Sequence, residues 1–303
     1  MTTVSRRRAS VVWLACVAAL LVGPVPPVRG QEGERHVILV NVLDREGNQV
    51  RGLGAANFRG EYRGQPVTIL SASEDRSPRR IAVILDRSES QMRAGALVLE
   101  SVQALINTLT PHHSVVIGTV AESIRQHTEL TNDRQVLEQA LRDVAASKTA
   151  GYSSLRDAVL RACQGLHSTQ SGDVVLLFSD CDDTTSADDP RRLVTTAAQT
   201  GVRVFGVLTP GELRPSEARG AASWMSVLTE ATGGSVSWLE SFQRGLPSLH
   251  SMITDVYRLE VAFPQPVDEP RKWNLEVVGP DGKALPKVRL VYPHLVAPMV
   301  PPK

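Results

Sequence analysis

The chain has 303 residues, of which 42% are apolar and 21% are charged, and its formal net charge is +1. These values are typical of a folded globular protein with a buried core, and they exclude an intrinsically disordered chain. A net charge so close to zero gives no indication of a nucleic-acid partner.

The first thirty residues have the pattern of a Sec-type signal peptide. Arg6–Arg8 form a basic region, an apolar run follows over 11–23, and the small-residue positions Val28 and Gly30 precede a predicted cleavage before Gln31. The pattern predicts export, either to the periplasm or cell envelope or out of the cell. The alternative is an uncleaved anchor, but the apolar run is shorter than the roughly 20 residues that span a membrane. We therefore expect membrane attachment only if this segment stays uncleaved.

Residues 31–79 are predicted to be an N-terminal β segment. Residues 36–43 and 67–70 are rich in β-branched and aliphatic side chains, and a turn-forming cluster at 44–48 follows the first of these runs. No helical periodicity occurs before residue 80.

Residues 80–257 have a different pattern, in which short apolar runs alternate with amphipathic helical periodicity. This alternation predicts an α/β fold with a doubly wound, mostly parallel, Rossmann-like sheet. Thr131 or Asn132 is expected to cap one of the helices. The predicted strands cover 81–85, 115–120, 124–130, 174–178, 202–207 and 235–238, and the predicted helices cover 92–109, 132–144, 154–166, 191–198, 221–231 and 246–256.

Residues 258–295 return to strand signals and are predicted to be a C-terminal β segment, followed by a tail at 296–303. We expect this segment to pair with 31–79 into one small β domain. The α/β unit would then be inserted between the two halves of that domain.

Three polar loops are predicted at one edge of the α/β sheet, because the carboxyl ends of parallel strands meet there. Asp86, Ser88 and Ser90 follow the strand 81–85, Ser153 precedes a helix, and Asp180 follows the strand 174–178. Taken singly, these loops are equally typical of helix caps or of acidic surface turns. Together they offer two carboxylates and three hydroxyls, which are ligands suited to a hard cation such as Mg²⁺.

With these motifs the α/β segment resembles a von Willebrand factor A-type domain with a metal-ion-dependent adhesion site. In that family an Asp-x-Ser-x-Ser loop, a Thr from a second loop and an Asp from a third surround the metal. The resemblance implies that Asp86, Ser88 and Ser90 form the first loop, that Ser153 replaces the Thr, and that Asp180 is the third-loop ligand. The flanking segments resemble those of exported bacterial proteins that carry this domain.

Three nearby residues are expected to modify the site. Glu89 stands where the family usually has Gly and adds a carboxylate. Cys181 replaces the usual Gly after Asp180, and it would strain the backbone if that position needs a positive φ. Asp182 adds a further carboxylate.

The resemblance implies an exported binding or adhesion module that is not an enzyme. It would hold Mg²⁺, or Mn²⁺ or Ca²⁺, and bind an Asp or Glu side chain of a protein partner. The alternative is a structural or scaffolding domain with a degenerate site that binds no metal.

Two further features are left open by the sequence. Cys163 and Cys181 form one disulfide or remain two thiols. Trp224, Trp238 and Trp273 are expected to be core or sheet-packing residues.

Overall fold

The computed structural model describes residues 34–149, 151–166, 172–210 and 222–298, all of which lie in one unit that covers 32–303. The predicted signal peptide and the last five residues lie outside these ranges. Within them, no helix combines the length and the apolar character that a membrane span requires.

The described residues form fourteen strands and six α-helices. The strands are β1 (Arg35–Leu43), β2 (Phe58–Tyr62), β3 (Gln65–Asp75), β4 (Arg80–Asp86), β5 (Ser114–Val120), β6 (Ile124–Gln126), β7 (Val174–Ser179), β8 (Arg203–Leu208), β9 (Val236–Trp238), β10 (Val256–Ala262), β11 (Arg271–Lys272), β12 (Asn274–Val277), β13 (Arg289–Val291) and β14 (Leu295–Val296). The helices are α1 (Gly95–Thr108), α2 (Arg134–Ala146), α3 (Leu155–Leu166), α4 (Pro190–Thr200), α5 (Ser223–Thr232) and α6 (Phe242–Thr254).

The central sheet has the order β6-β5-β4-β7-β8-β9, and all neighbours pair in parallel except β5 and β6. In β7 and β8 every residue is buried, which explains the apolar runs over 174–178 and 204–208. One core cluster joins one face of the sheet to α1, α2 and α6, and a second joins the other face to α3, α4 and α5. The predicted α/β fold with a doubly wound, mostly parallel sheet is confirmed.

Several predicted boundaries are wrong in detail. The N-cap of α2 is Asp133, whose carboxylate accepts hydrogen bonds from the backbone N–H groups of Gln135 and Val136, whereas Thr131 or Asn132 was predicted. The strand predicted over 124–130 ends at Gln126. α6 begins at Phe242 rather than at residue 246, because Phe242 is the first buried side chain of its apolar stripe.

A second six-stranded sheet, here called the flanking sheet, contains strands from both sides of the α/β unit. Its order is β12-β2-β3-β10-β1-β13, and β10 pairs antiparallel with both β1 and β3. Aromatic rings pack edge to face in its core, with centroid distances of 5.2 Å between Tyr62 and Phe263 and 5.5 Å between Phe263 and Trp273. The segments before and after the α/β unit therefore share one sheet and one core.

Arg203, the first residue of β8, joins the two sheets. Its buried guanidinium donates to the backbone oxygens of Gly233 and Met252 at 2.8 and 2.7 Å, and to the Asn41 side-chain oxygen on β1 at 2.6 Å. Burial lowers the pKa of Arg203 to about 9, so the side chain stays charged at neutral pH. Because Arg203 lies at the amino end of its strand, the flanking sheet contacts that end of the central sheet, and the carboxyl ends point away from it.

Replacement of Arg203 by Met is expected to lower the free energy of unfolding by about 3 kcal/mol, because three buried oxygens lose their donor. Urea denaturation at neutral pH measures this change. The exposed Arg244, replaced by Met in the same way, is the control and should change stability by less than about 0.5 kcal/mol. Equal stability of the two variants would contradict the assigned role of Arg203.

Candidate functional site

The candidate site lies where β4 and β7 end side by side. Leu85 pairs with Phe178, so the next residues along each strand, Asp86 and Ser179, are also neighbours. Asp180 follows directly, at the start of the loop that leads to α4. The pairing of these two strands thus brings the first and third predicted loops together.

The first loop folds back on its own carboxylate. The Ser88 hydroxyl donates to Oδ1 of Asp86 at 2.7 Å, the Ser88 backbone N–H donates to the same oxygen at 2.9 Å, and the Ser90 hydroxyl lies 3.2 Å from that of Ser88. Asp86 and Ser88 are buried. The side-chain oxygens of Asp86, Ser88 and Ser90, the predicted ligands from the first loop, therefore lie close together.

The second loop is joined to the third through Ser153. Its buried hydroxyl donates to the backbone oxygen of Asp182 at 2.8 Å, and its backbone N–H donates to the Thr184 hydroxyl at 3.2 Å. A hydroxyl that donates its proton keeps its oxygen lone pairs for a ligand. The 3₁₀ turn at Glu89–Gln91 also contacts this loop, because the Glu89 backbone N–H donates to the oxygen of Gly151 at 3.2 Å.

Two residues that support the site were not predicted. The Ser179 hydroxyl donates to Oδ2 of Asp86 at 2.6 Å and accepts from the Cys181 backbone N–H at 2.8 Å. Gln91, which is 1% exposed, accepts from the Thr209 hydroxyl at 2.6 Å and donates to the Ser90 hydroxyl at 3.4 Å. For Ser179, its position at the end of a buried strand was the available signal. The sequence carries no signal for Gln91.

Asp86 and Asp180 are both buried, and they are close enough for their charges to interact. Burial raises the pKa of Asp86 to about 6, hydrogen bonds from Ser179 and Ser88 oppose this rise, and the negative charge of Asp180 adds to it. Oδ2 of Asp180 is buried and has no hydrogen-bond partner among the described residues. Such an arrangement is costly without a cation, because a buried carboxylate oxygen normally has a donor or a metal.

The donor set fits a hard divalent cation. Asp86 and Asp180 supply anionic oxygens, and Ser88, Ser90 and Ser153 supply neutral ones, which is the oxygen chemistry that Mg²⁺, Mn²⁺ and Ca²⁺ accept. In the described ranges, no group of three or more His, Cys, Asp or Glu side chains could hold a metal. A metal held here would therefore depend on the hydroxyls.

The three expected modifiers differ in their placement. Glu89 is exposed. Cys181 has a φ of 65°, so the side chain occupies a backbone conformation that favours Gly, and the expected strain is confirmed. Asp182 is partly buried, and its pKa is raised by burial and by the nearby charges of Asp180 and Asp183.

The two cysteines are free and buried. Burial raises the pKa of Cys163 to about 12, and it also raises the pKa of Cys181, with a contribution from the charges of Asp180, Asp86 and Asp183. Burial and the raised pKa therefore both disfavour the thiolate form of either cysteine at neutral pH. Trp238 was predicted to be a core or sheet-packing residue. It is 53% exposed and is therefore not a core residue, and it ends the three-residue edge strand β9.

Comparison with known families identifies the α/β unit. Residues 81–182 match the family described as the von Willebrand factor type A domain, and this range includes all five predicted ligands. The chain therefore carries a von Willebrand factor type A domain, as its loop motifs predicted. Comparison with curated proteins gives no match.

Three solved structures are similar to parts of the chain. The conserved hypothetical protein BatB from Bacteroides thetaiotaomicron shares 14% identity over 57% of this chain and 98% of its own, with a TM-score of 0.44. A von Willebrand factor type A protein from Catenulispora acidiphila shares 12% identity over 89% and 75%, with a TM-score of 0.47. Proximal thread matrix protein 1 from the mussel byssus, with a zinc-occupied MIDAS motif, shares 12% over 63% and 50%, with a TM-score of 0.49.

Replacement of Asp86 by Asn is expected to stabilise the protein in EDTA at pH 7.5, by up to about 3 kcal/mol. The folded-state pKa of about 6 lies above the ordinary value of 3.8, so the ionised carboxylate opposes folding. Stability of the wild type falls as pH rises from about 4 to 6, and the advantage of the variant grows over the same window. Urea denaturation at pH 4 and pH 7.5 measures this, with the exposed Glu46→Gln as control. An advantage that is absent at pH 7.5 would contradict the electrostatic account.

At position 181 the Gly variant is expected to be more stable than the Ala variant by about 1 kcal/mol, because Ala keeps the strain of a positive φ. Both variants lose the thiol, so their difference isolates the backbone. At Ala197, which is buried inside α4, Ala197→Gly should instead be destabilising. Thermal or urea unfolding measures the stability of the Gly and Ala forms at both positions. If Ala is more stable than Gly at position 181, as it should be at position 197, the strain at position 181 is disproved.

Proposed function

We propose that the von Willebrand factor type A domain of this protein holds one divalent cation, Mg²⁺ or alternatively Mn²⁺ or Ca²⁺. Asp86, Ser88 and Ser90 would hold it from the first loop, Ser153 from the second and Asp180 from the third. The buried Asp180 Oδ2, which has no hydrogen-bond donor among the described residues, carries this proposal. Its unsatisfied charge beside Asp86 is the defect that a bound cation removes.

Hydrogen bonds from neighbouring residues hold the proposed ligands in position before a metal binds. Ser179 and Ser88 each donate to a different oxygen of Asp86, so the carboxylate is fixed from both sides. Gln91 joins Ser90 to Thr209 beyond the end of β8, so the third hydroxyl is also restrained. Ligands fixed in this way lose little conformational entropy when they bind a metal.

We propose that the site binds the Asp or Glu side chain of a protein partner, and that it does not catalyse a reaction. A cation bound mainly by neutral hydroxyls would supply an electrophilic position for an anionic oxygen from outside. Among the described residues, the flanking sheet contacts the opposite end of the central sheet through Arg203, which leaves the carboxyl-end edge to such a partner. Burial of the Cys181 thiol supports binding rather than nucleophilic chemistry.

We also propose an exported protein in which a von Willebrand factor type A domain at 80–257 is inserted between the β segments 31–79 and 258–295. Pairing of β10 with β1 and β3 supports the insertion. Export is supported by the pattern of residues 1–30, and cleavage would leave Gln31 first. N-terminal sequencing of the protein from the cell envelope and medium tests this, and an intact Met1 there would contradict it.

A degenerate, metal-free domain with a structural role is the second candidate. It is favoured by Cys181, whose strained backbone follows the ligand Asp180, and by Glu89, whose extra carboxylate stands beside the first loop. If this candidate holds, binding of partners would be unaffected by chelation.

Thermal melting in EDTA, Mg²⁺ and Mn²⁺ distinguishes the two candidates. A cation at a hundred times its Kd should stabilise the folded protein by about 2.7 kcal/mol, seen as a rise in melting temperature that depends on concentration. Asp86→Asn and Asp180→Asn should lose this rise although they remain folded, and Glu46→Ala should keep it. If neither metal stabilises the wild type, the metal proposal is wrong. Partners captured in Mg²⁺ should be released by EDTA, and retention in EDTA supports the structural candidate.

A further inference from the structure

A cavity of about 240 Å³ opens on the face of the central sheet that α3 covers, on the side of β5 and β6. α3 packs against β4 and β7, so β5 and β6 extend the sheet beyond that helix. No residue of the candidate metal site is among the described residues that line this cavity. It is therefore a separate feature of the domain.

The cavity exists because small residues line it from both the strands and the helix. Gly118 lies on β5, and Ala158, Ala162 and Gly165 lie on α3. A Cβ added to Gly165 meets no heavy atom within 4 Å, and one added to Gly118 meets only the Arg125 backbone oxygen, at 3.4 Å. A methyl group would thus fit at both glycines, and the open space follows from the small side chains at these positions.

The described residues that line the cavity are mostly apolar and leave some of that apolar surface exposed. Val116 and Ile124 line it while only partly buried, and Leu130 at its margin is 38% exposed. Apolar surface that is open to water gains about 25 cal/mol per Å² when it is covered. An occupant with an apolar body would therefore be stabilised here.

The charged residues that line the cavity indicate whether a bound ligand would be an anion or a cation. Arg125 and Arg161 both line it, both are exposed, and neither has an ion pair within the described part of the chain. Glu129 is the one acidic residue among the described lining residues. Two guanidinium groups with one carboxylate favour an anion, and Arg binds carboxylates with strong, charge-assisted hydrogen bonds.

We propose that this cavity binds a small amphiphilic anion, namely a free medium-chain alkyl carboxylate. The alkyl chain would lie over Gly118 and Ala162, and the carboxylate would lie at the rim with Arg125 and Arg161. A cavity of about 240 Å³ has room for a chain of several carbon atoms. Octanoate, with eight carbons, is the probe.

Titration of the purified protein with octanoate in EDTA tests this, by calorimetry and by melting temperature. Octanoate should bind with a Kd of about 1 mM or tighter and raise the melting temperature. Octylammonium has the same chain with the opposite charge, and acetate has the same head group without the chain, so neither should bind. Because EDTA removes divalent cations, failure here is independent of failure of the metal site.

Ala162→Leu fills the cavity and should abolish octanoate binding without lowering the melting temperature of the free protein. Gly165→Leu is a second filling variant in case the first fails to fold, and Ala146→Leu on the exposed face of α2 is the matched control. Arg125→Gln combined with Arg161→Gln should weaken octanoate binding about tenfold or more. The proposal is overturned if octanoate does not bind the wild type, if the filling variants bind it normally, or if octylammonium binds equally well.

Discussion

The parallel pairing of β4 with β7 is the constraint on which the candidate site depends. It places Asp86 next to Ser179, whose hydroxyl donates to Oδ2 of that carboxylate at 2.6 Å, and it puts Asp180 one residue further on. A slip of one residue in either strand would turn these side chains to the other face of the sheet. The buried apolar residues of both strands prevent such a slip, so the energy of the core also fixes the polar groups.

Much of the fold could be predicted from the sequence because its clearest pattern, the apolar runs of the buried strands, has a direct physical cause. A strand buried on both faces must be apolar throughout, and the runs before Asp86 and Ser179 have no other simple explanation. Helix boundaries were less predictable, because several neighbouring residues can serve equally well as the N-cap. Thr131, Asn132 and Asp133 can all cap a helix, and only the path of the chain decides that Asp133 does so.

The candidate site was predictable where its residues are consecutive and unpredictable where they meet through the fold. Asp86, Ser88 and Ser90 follow a local pattern, whereas the contact of Gln91 with Thr209 depends on the placement of β8. The positive φ of Cys181 was expected only through the resemblance, because the family usually has Gly at that position. Exposure of Trp238 could not, because its three-residue run does not show that β9 lies at an edge.

The arrangement of the flanking sheet also determines the order in which the protein can fold. β10 lies between β1 and β3, but residues 76–255 separate it from β3 in the chain. Closing so long a loop would cost about 4–5 kcal/mol in an unfolded chain, and a folded α/β unit removes that cost by bringing the ends together. During synthesis from the amino terminus, β1 and β3 are made long before the strand that joins them. Until residue 262 has emerged, their unpaired edges are the part of the molecule most exposed to association with other chains.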